Sequence, residues 1–168
     1  MMTGDANDYS VCTTWHIIKQ DYYLVDVFRA RLQYPDLRRK LASLAAKYDA
    51  GTILIENAGP GMALLQDLWR DLPRGMVRPI GQKPQGSKAD RMVAQSAKIE
   101  AGQVYLPRQA EWLDTLLLEL LGFPNGRHDD QVDSVSQFLK WAALRKFLDA
   151  STLVGCGPKV FRDGIQIN

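Results

Sequence analysis

Between residues 9 and 28 the chain gathers β-branched and aromatic residues into two runs, YSVCTTWHII (9–18) and YYLVDVF (22–28), parted by Lys19-Gln20-Asp21. Such residues fit a pleated, half-buried surface, so the two runs and their short polar gap predict an antiparallel hairpin. The period then changes. From Tyr34-Pro35-Asp36 the apolar residues Leu37, Leu41, Leu44, Ala45 and Tyr48 recur every three or four positions, which predicts a helix with Pro in its first turn. Asp49-Ala50-Gly51 supplies the glycine-bearing stop. Residues 52–55 (TILI) form an unbroken apolar run, as expected of a strand buried on both faces, and Glu56-Asn57 follows at once.

Ala58-Gly59-Pro60-Gly61 predicts a flexible turn, residues 62–70 a helix and residues 76–80 a further strand. The loop QKPQGS (82–87) carries Lys83 and leads into a helix over 88–100, closed by Gly102. A brief strand over 103–106 is stopped by Pro107, and a leucine-rich helix is predicted over 110–121. Its broad apolar face, which includes Leu116, Leu120 and Leu121, reads as core rather than subunit contact. After Gly122-Phe123-Pro124-Asn125-Gly126 comes Arg127-His128-Asp129-Asp130-Gln131-Val132-Asp133-Ser134, the entry to a last helix. Val132, Val135, Leu139, Ala142, Ala143 and Phe147 keep its apolar stripe, to about residue 149. Strands and helices in this order predict an α/β layered domain over residues 1–150. Residues 151–168, with three glycines and a proline and no clear period, read as a weakly structured tail.

The candidate chemistry lies in the acidic residues. Asp129, Asp130 and Asp133 crowd the start of the last helix, where positions three or four apart share a face and carboxylates converge. The same residue type is favoured there as a cap, accepting backbone N–H bonds at the positive end of the helix dipole. The cluster is therefore either a cap or a metal site. Glu56, placed directly after a buried strand, sits at the carboxyl edge of the sheet, where α/β folds place their ligands. Oxygen ligands with no cysteine among them select Mg²⁺ or Mn²⁺ over zinc. His128 has the chemistry to orient a carboxylate or assist proton transfer, and equally to pack or cap. Lys83, Lys88, Arg91 and the run Arg38-Arg39-Lys40 are candidate phosphate contacts or solvated surface charges.

Bulk properties narrow the class. With 46% hydrophobic and 24% charged residues the chain is expected to fold as an ordinary globular domain, and a net charge of +2 neither demands nor excludes nucleic acid. Cys12 and Cys156 match no zinc spacing and suggest reduced thiols. No apolar run approaches the roughly 18–20 residues of a bilayer span, and residues 1–7 lack a signal-peptide core, so a cytoplasmic protein without membrane partners is expected.

Taken together, Asn7-Asp8-Tyr9-Ser10-Val11-Cys12-Thr13-Thr14-Trp15, the run Tyr22-Tyr23-Leu24-Val25-Asp26-Val27, Ile55-Glu56-Asn57, Gln95-Ser96-Ala97 with Glu100-Ala101-Gly102, and residues 123–133 closely resemble the carboxy-terminal nuclease domain of the large terminase subunit of tailed bacteriophages. The resemblance runs over about residues 4–141. It implies a ribonuclease H-like fold, a central mixed sheet flanked by helices, and a two-metal Mg²⁺ or Mn²⁺ endonuclease that cuts concatemeric phage DNA during packaging. It implies Glu56, Asp130 and Asp129 as metal ligands, with Asp133 in support and Lys88 and Arg91 on double-stranded DNA; His128 as a further catalytic candidate and Lys83 as a further DNA contact rest on their chemistry and place in the chain. Its implied partners are a packaging ATPase, a small terminase subunit and a portal. The chain departs from the resemblance twice. No G-x-x-x-x-G-K-[ST] loop is present, so the ATPase chemistry is not in this stretch. A first strand ending in a catalytic Asp, which similar domains carry ahead of the Asn-Asp-Tyr-Ser segment, has no counterpart here, Asp5 and Asp8 reading as loop residues. An inactive prophage remnant that serves only for binding or assembly is therefore the competing reading, with another ribonuclease H-like enzyme, a resolvase or an RNA-directed nuclease, as a third. Loss of a strand would also expose sheet edges and favour self-association.

Overall fold

The computed structural model describes residues 9–145. The expected tail at 151–168, the end of the last helix beyond residue 145 and Cys156 lie outside them. The hairpin forms as read. Strands β1 (Ser10–Ile18) and β2 (Asp21–Ala30) pair antiparallel, Ser10 opposite Ala30 and Ile18 opposite Asp21. The two-residue connection holds Lys19 at φ 57, the left-handed conformation that tight hairpin turns use. Thr14 pairs with Asp26 and Trp15 with Leu24, so Val25 is the extra residue of a bulge. The bulge bends the strands where Trp15 and Leu24 enter the core, both almost fully buried.

The five helices are α1 (Tyr34–Lys47), α2 (Gly59–Arg70), α3 (Lys88–Glu100), α4 (Leu113–Gly122) and α5 (Asp130–Arg145). The remaining strands are short: β3 (Leu54–Glu56), β4 (Ile80–Gln82) and β5 (Val104–Tyr105). Three boundaries differ from the sequence expectation. The supposed turn at 58–61 is already the first turn of α2, because Pro60 presets helical φ and Gly61 lets the helix start against the end of β3. A Cβ on Gly61 would lie 2.1 Å from the Glu56 carbonyl oxygen, so only glycine fits. Strand β4 begins at Ile80, the last residue of the expected 76–80 run, since Pro79 has no N–H to donate; the Ile80 N–H bonds the Ile53 carbonyl at 2.8 Å. Helix α4 begins at Leu113, after a turn in which the Ala110 carbonyl accepts the Leu113 N–H.

The strands form two sheets. One has the order β1-β2-β5, with β5 parallel to β2; the other is the parallel pair β3-β4. Among the described residues no strand pairs with the outer edge of β1 or with the second edge of β3. Each sheet has its own apolar cluster. Trp15, Tyr22, Leu24 and Val27 pack on Leu116 of α4 and on Val135, Phe138, Leu139 and Ala142 of α5. The Trp15 and Phe138 rings stack at 4.3 Å. Ile53 and Ile55 pack on Leu64, Leu65 and Leu68 of α2, with Leu37 and Leu41 of α1 beside them. The face of α4 is only partly core: Leu116 is fully buried, but Leu121, read as core from the sequence, is 84% exposed, and so is most of Leu118.

One polar contact fixes where α5 begins. The Glu119 carboxylate, buried on α4, accepts the Gln131 N–H at 2.6 Å and the Val132 N–H at 3.3 Å through Oε1, and the Gln131 amide at 2.7 Å through Oε2. Backbone N–H groups at a helix start have no partner within the helix, and Glu119 supplies one from a neighbouring helix at the favourable end of the dipole. Replacing Glu119 by Ala orphans two backbone donors and is expected to cost about 2–4 kcal/mol. Glu119→Gln, which keeps an acceptor, should cost less. Urea denaturation of both variants measures this, and an unchanged midpoint in Glu119→Ala would show the cap to be dispensable.

Candidate active site

The acidic entry of α5 lies against the start of α3. That start is a capping box: the Ser87 hydroxyl accepts the Asp90 N–H at 3.1 Å and the Asp90 carboxylate accepts the Ser87 N–H at 3.4 Å. With α3 so begun, Lys88 and Arg91 project together, one turn apart, onto α5. Lys88 Nζ meets Asp129 Oδ1 at 2.7 Å. Arg91 Nη2 and Nε meet Asp133 Oδ1 at 2.5 and 3.2 Å, and Arg91 Nη1 bonds the Gly86 carbonyl at 3.1 Å. The two pairs differ in setting. Arg91 and Asp133 retain only 9% and 10% of their side-chain exposure, while Lys88 and Asp129 keep 42% and 39%.

Burial works against the charge of Lys88. Its hydrogen bond to Asp129 and the fields of Asp129, Asp133 and Asp130 outweigh that and hold its pKa above the ordinary lysine value. The ammonium therefore stands as the counter-ion of the whole acidic entry. Asp129 contributes its carbonyl to the first helical bond of α5, from the Asp133 N–H at 2.9 Å, but its carboxylate is given to Lys88. Capping of α5 by side chain comes from Glu119 instead. Glu119 stands amid the apolar face of α4, and a lone acid in LLLELLG was the one signal in the sequence that a buried acceptor was needed there.

The other candidate residues are distributed around this contact. Glu56 ends β3, half-buried and in register with Gln82 of β4. Six residues beyond Gln82 the chain reaches Lys88, so the carboxyl ends of the parallel pair and the start of α3 are joined by a short loop, on which Lys83 is exposed. Asp130 is the half-buried first residue of α5. His128 meets the Tyr9 ring edge-on at 5.5 Å, and the Arg29 guanidinium lies over that ring at 3.6 Å. Of the other basic run, Arg38 pairs with Asp71, Arg39 with Asp36, and Lys40 lies over the Phe28 ring.

Carboxylate oxygens of this kind suit a hard divalent cation. Their number in one place does not: among the described residues no group of three or more His, Cys, Asp or Glu is close enough to hold a metal ion. The described residues supply donors for a metal site without closing one.

The mixed α/β architecture, with strands flanked by helices, agrees with a ribonuclease H-like domain, and the family match assigns it to that class. Residues 3–140 match the family model described as the terminase RNaseH-like domain, and the chain belongs to that family. No curated protein and no solved structure matches the chain. None of the described helices is long and apolar enough to cross a membrane.

Two measurements test the charge contacts. Removing one member of the buried pair, by Arg91→Ala or Asp133→Ala, should destabilise by about 3–5 kcal/mol, and the double variant by clearly less than the sum; strict additivity in a urea double-mutant cycle would show that the pair is not coupled. For Lys88, a pKa raised in the folded state above the unfolded 10.5 makes its contribution full below that value and lost as pH rises through the folded one. The difference in melting temperature between the parent chain and Lys88→Met should therefore hold steady from neutral pH to about pH 10 and shrink above it.

Proposed function

We propose that this domain is the DNA-cleaving part of a phage genome-packaging machine, an endonuclease that uses Mg²⁺ or Mn²⁺ and hydrolyses phosphodiesters of concatemeric double-stranded DNA. The observation that carries the reading is family membership across residues 3–140 combined with the acidic residues at two elements, Glu56 at the end of β3 and Asp129-Asp130 at the start of α5. In this reading Glu56, Asp130 and Asp129 are metal donors, Asp133 anchors the acidic entry through Arg91, and His128 stands beside it. Lys83 is the exposed candidate for a DNA phosphate; Lys88 and Arg91 take part from their places on Asp129 and Asp133. A bound divalent cation lowers the pKa of a coordinated water and stabilises a leaving oxygen. What the chain's own residues do is present oxygen donors and balance their charge. The partners proposed are a packaging ATPase, a small terminase subunit and a portal, in the cytoplasm of a bacterial host.

A second reading is favoured by a specific observation. No three-donor cluster exists among the described residues, and two of the carboxylates already carry counter-ions. On that reading the domain is an inactive, prophage-derived module that binds or assembles without cutting. Nicking of supercoiled plasmid separates the two. The nuclease reading expects nicking with Mn²⁺ or Mg²⁺, none in chelator, and loss in Glu56→Ala and Asp130→Ala, both judged folded by their melting curves. Cleavage that survives both substitutions, or absence of cleavage by the parent chain with either metal, would overturn it. Competition among duplex, branched DNA and RNA–DNA hybrid then identifies the substrate class.

A further inference from the structure

Strand alternation gathers three side chains at the open end of the hairpin. Val11 pairs with Arg29 and Ser10 with Ala30, and continuing that register sets Tyr9 beside Arg31, with Arg29 on the same face two residues back. The guanidinium carbons of Arg29 and Arg31 lie 3.6 and 4.6 Å from the centre of the Tyr9 ring, so they are within about 8 Å of each other. The His128 ring meets the same tyrosine edge-on at 5.5 Å, which puts the Arg29 guanidinium within about 9 Å of His128. His128 immediately precedes Asp129-Asp130, and the exposed Arg127 stands one residue ahead of it.

The two arginines differ from the other cations beside the acidic entry in what holds them. Lys88 is paired with Asp129 and Arg91 with Asp133, so their charge is already answered. Neither Arg29 nor Arg31 forms an ion pair among the described residues, and the buried Arg29 Nε has no acceptor among them. Asp26 and Glu111 line the same cleft as Arg29, but Asp26 is taken by Tyr48 and Lys47, and Glu111 is exposed. Burying part of a guanidinium without an acceptor is costly. The aromatic face beneath it offsets some of that cost by cation–π attraction and leaves the N–H edge of a flat, held fork free. A fork of that kind fits two oxygens of a phosphate.

We propose that Arg29 and Arg31, seated on Tyr9, bind the phosphodiester backbone of the DNA strand that runs past His128 to the acidic entry of α5. Phosphates of one strand recur about every 3.4 Å along the duplex axis, so a contact within about 9 Å of His128 lies at most about three nucleotides from it. Tyr9 is a positioning residue, since its ring holds the forks and touches no phosphate. The identity of the ligand rests on the nuclease reading, but the contact is one of binding and needs neither metal nor cleavage.

Binding of a short labelled DNA duplex to the full chain, followed by fluorescence anisotropy in chelator over a range of salt concentrations, tests this. In Arg29→Ala and in Arg31→Ala the slope of log affinity against log salt should be shallower by about one, with affinity down about tenfold at low salt whatever the duplex sequence. Arg70→Ala, which removes an exposed cation of α2, should leave both unchanged. Tyr9→Leu should weaken binding, and Tyr9→Phe, which keeps the ring, should bind as the parent does. Arg29 is half-buried and its loss also bears on folding; Arg31 is exposed, so Arg31→Ala and Arg31→Glu keep the test on a folded chain. Arg31 variants with the parent's affinity and slope would overturn the contact. An equal loss in Arg70→Ala would overturn it in favour of net charge alone. A parent chain that binds duplex in chelator through Arg31 but nicks with neither metal loses the nuclease reading and keeps the contact; one that nicks while its Arg31 variants bind unchanged keeps that reading and loses the contact.

Discussion

The arrangement of this domain depends on one buried carboxylate. Glu119 reaches from α4 to the first N–H groups of α5 and closes a contact that neither helix makes alone. Because the cap comes from a neighbouring element, it fixes the start of α5 in space as well as in sequence. The apolar stripe of that helix then falls on β1 and β2, with Phe138 against Trp15. The polar side of its first turn falls on α3. A cap by Asp129 itself would have started the helix without deciding what lay beside it.

With α5 so placed, acids that look alike in the sequence take different tasks. Asp133 is buried, and its charge is tolerated there because Arg91 donates twice to it and is itself held by the Gly86 carbonyl. Asp129 is more exposed and meets a lysine, a single flexible point charge rather than a planar fork. Asp130, between them, adds to the field that keeps Lys88 protonated. The first contact is a buried, doubly bonded pair and the second a half-exposed counter-ion. Burial, which sets this difference, is a property of the packed helices and not of the residue types.

Much of the architecture was legible because it is written in local periods. The hairpin, the five helices and the buried run ending at Glu56 follow from the switch between alternating and three-to-four spacing. Boundaries failed where one residue decides: Pro79 delays β4, and Gly61 lets α2 start against the Glu56 carbonyl. The acids at 56 and 129–133 were legible as candidates, since acids beside apolar runs are conspicuous. Their pairing with Lys88 and Arg91 was not, because the partners are about forty residues apart in the chain and only the packing of α3 on α5 brings them together. Sheet division was equally hidden, as strand order is a long-range choice that leaves no mark on any single strand.

That division bears on the acidic residues themselves. Glu56 stands two positions beyond Leu54 on β3, and Asp133 immediately precedes Ser134 on α5. Ser134 is tied to β1 by a hydroxyl contact to Thr13 at 2.9 Å, so the first turn of α5 is anchored to the edge of one sheet while Glu56 ends a strand of the other. With no strand between them among the described residues, the two acidic elements are related through the loop from Gln82 to Lys88 and through helix packing, not through a ladder of main-chain bonds. Ladder bonds set strand spacing at about 4.8 Å; loops and side-chain packing set it less tightly. The same feature that divides the sheet therefore leaves the spacing of Glu56 from Asp129-Asp130 to that loop and to helix packing.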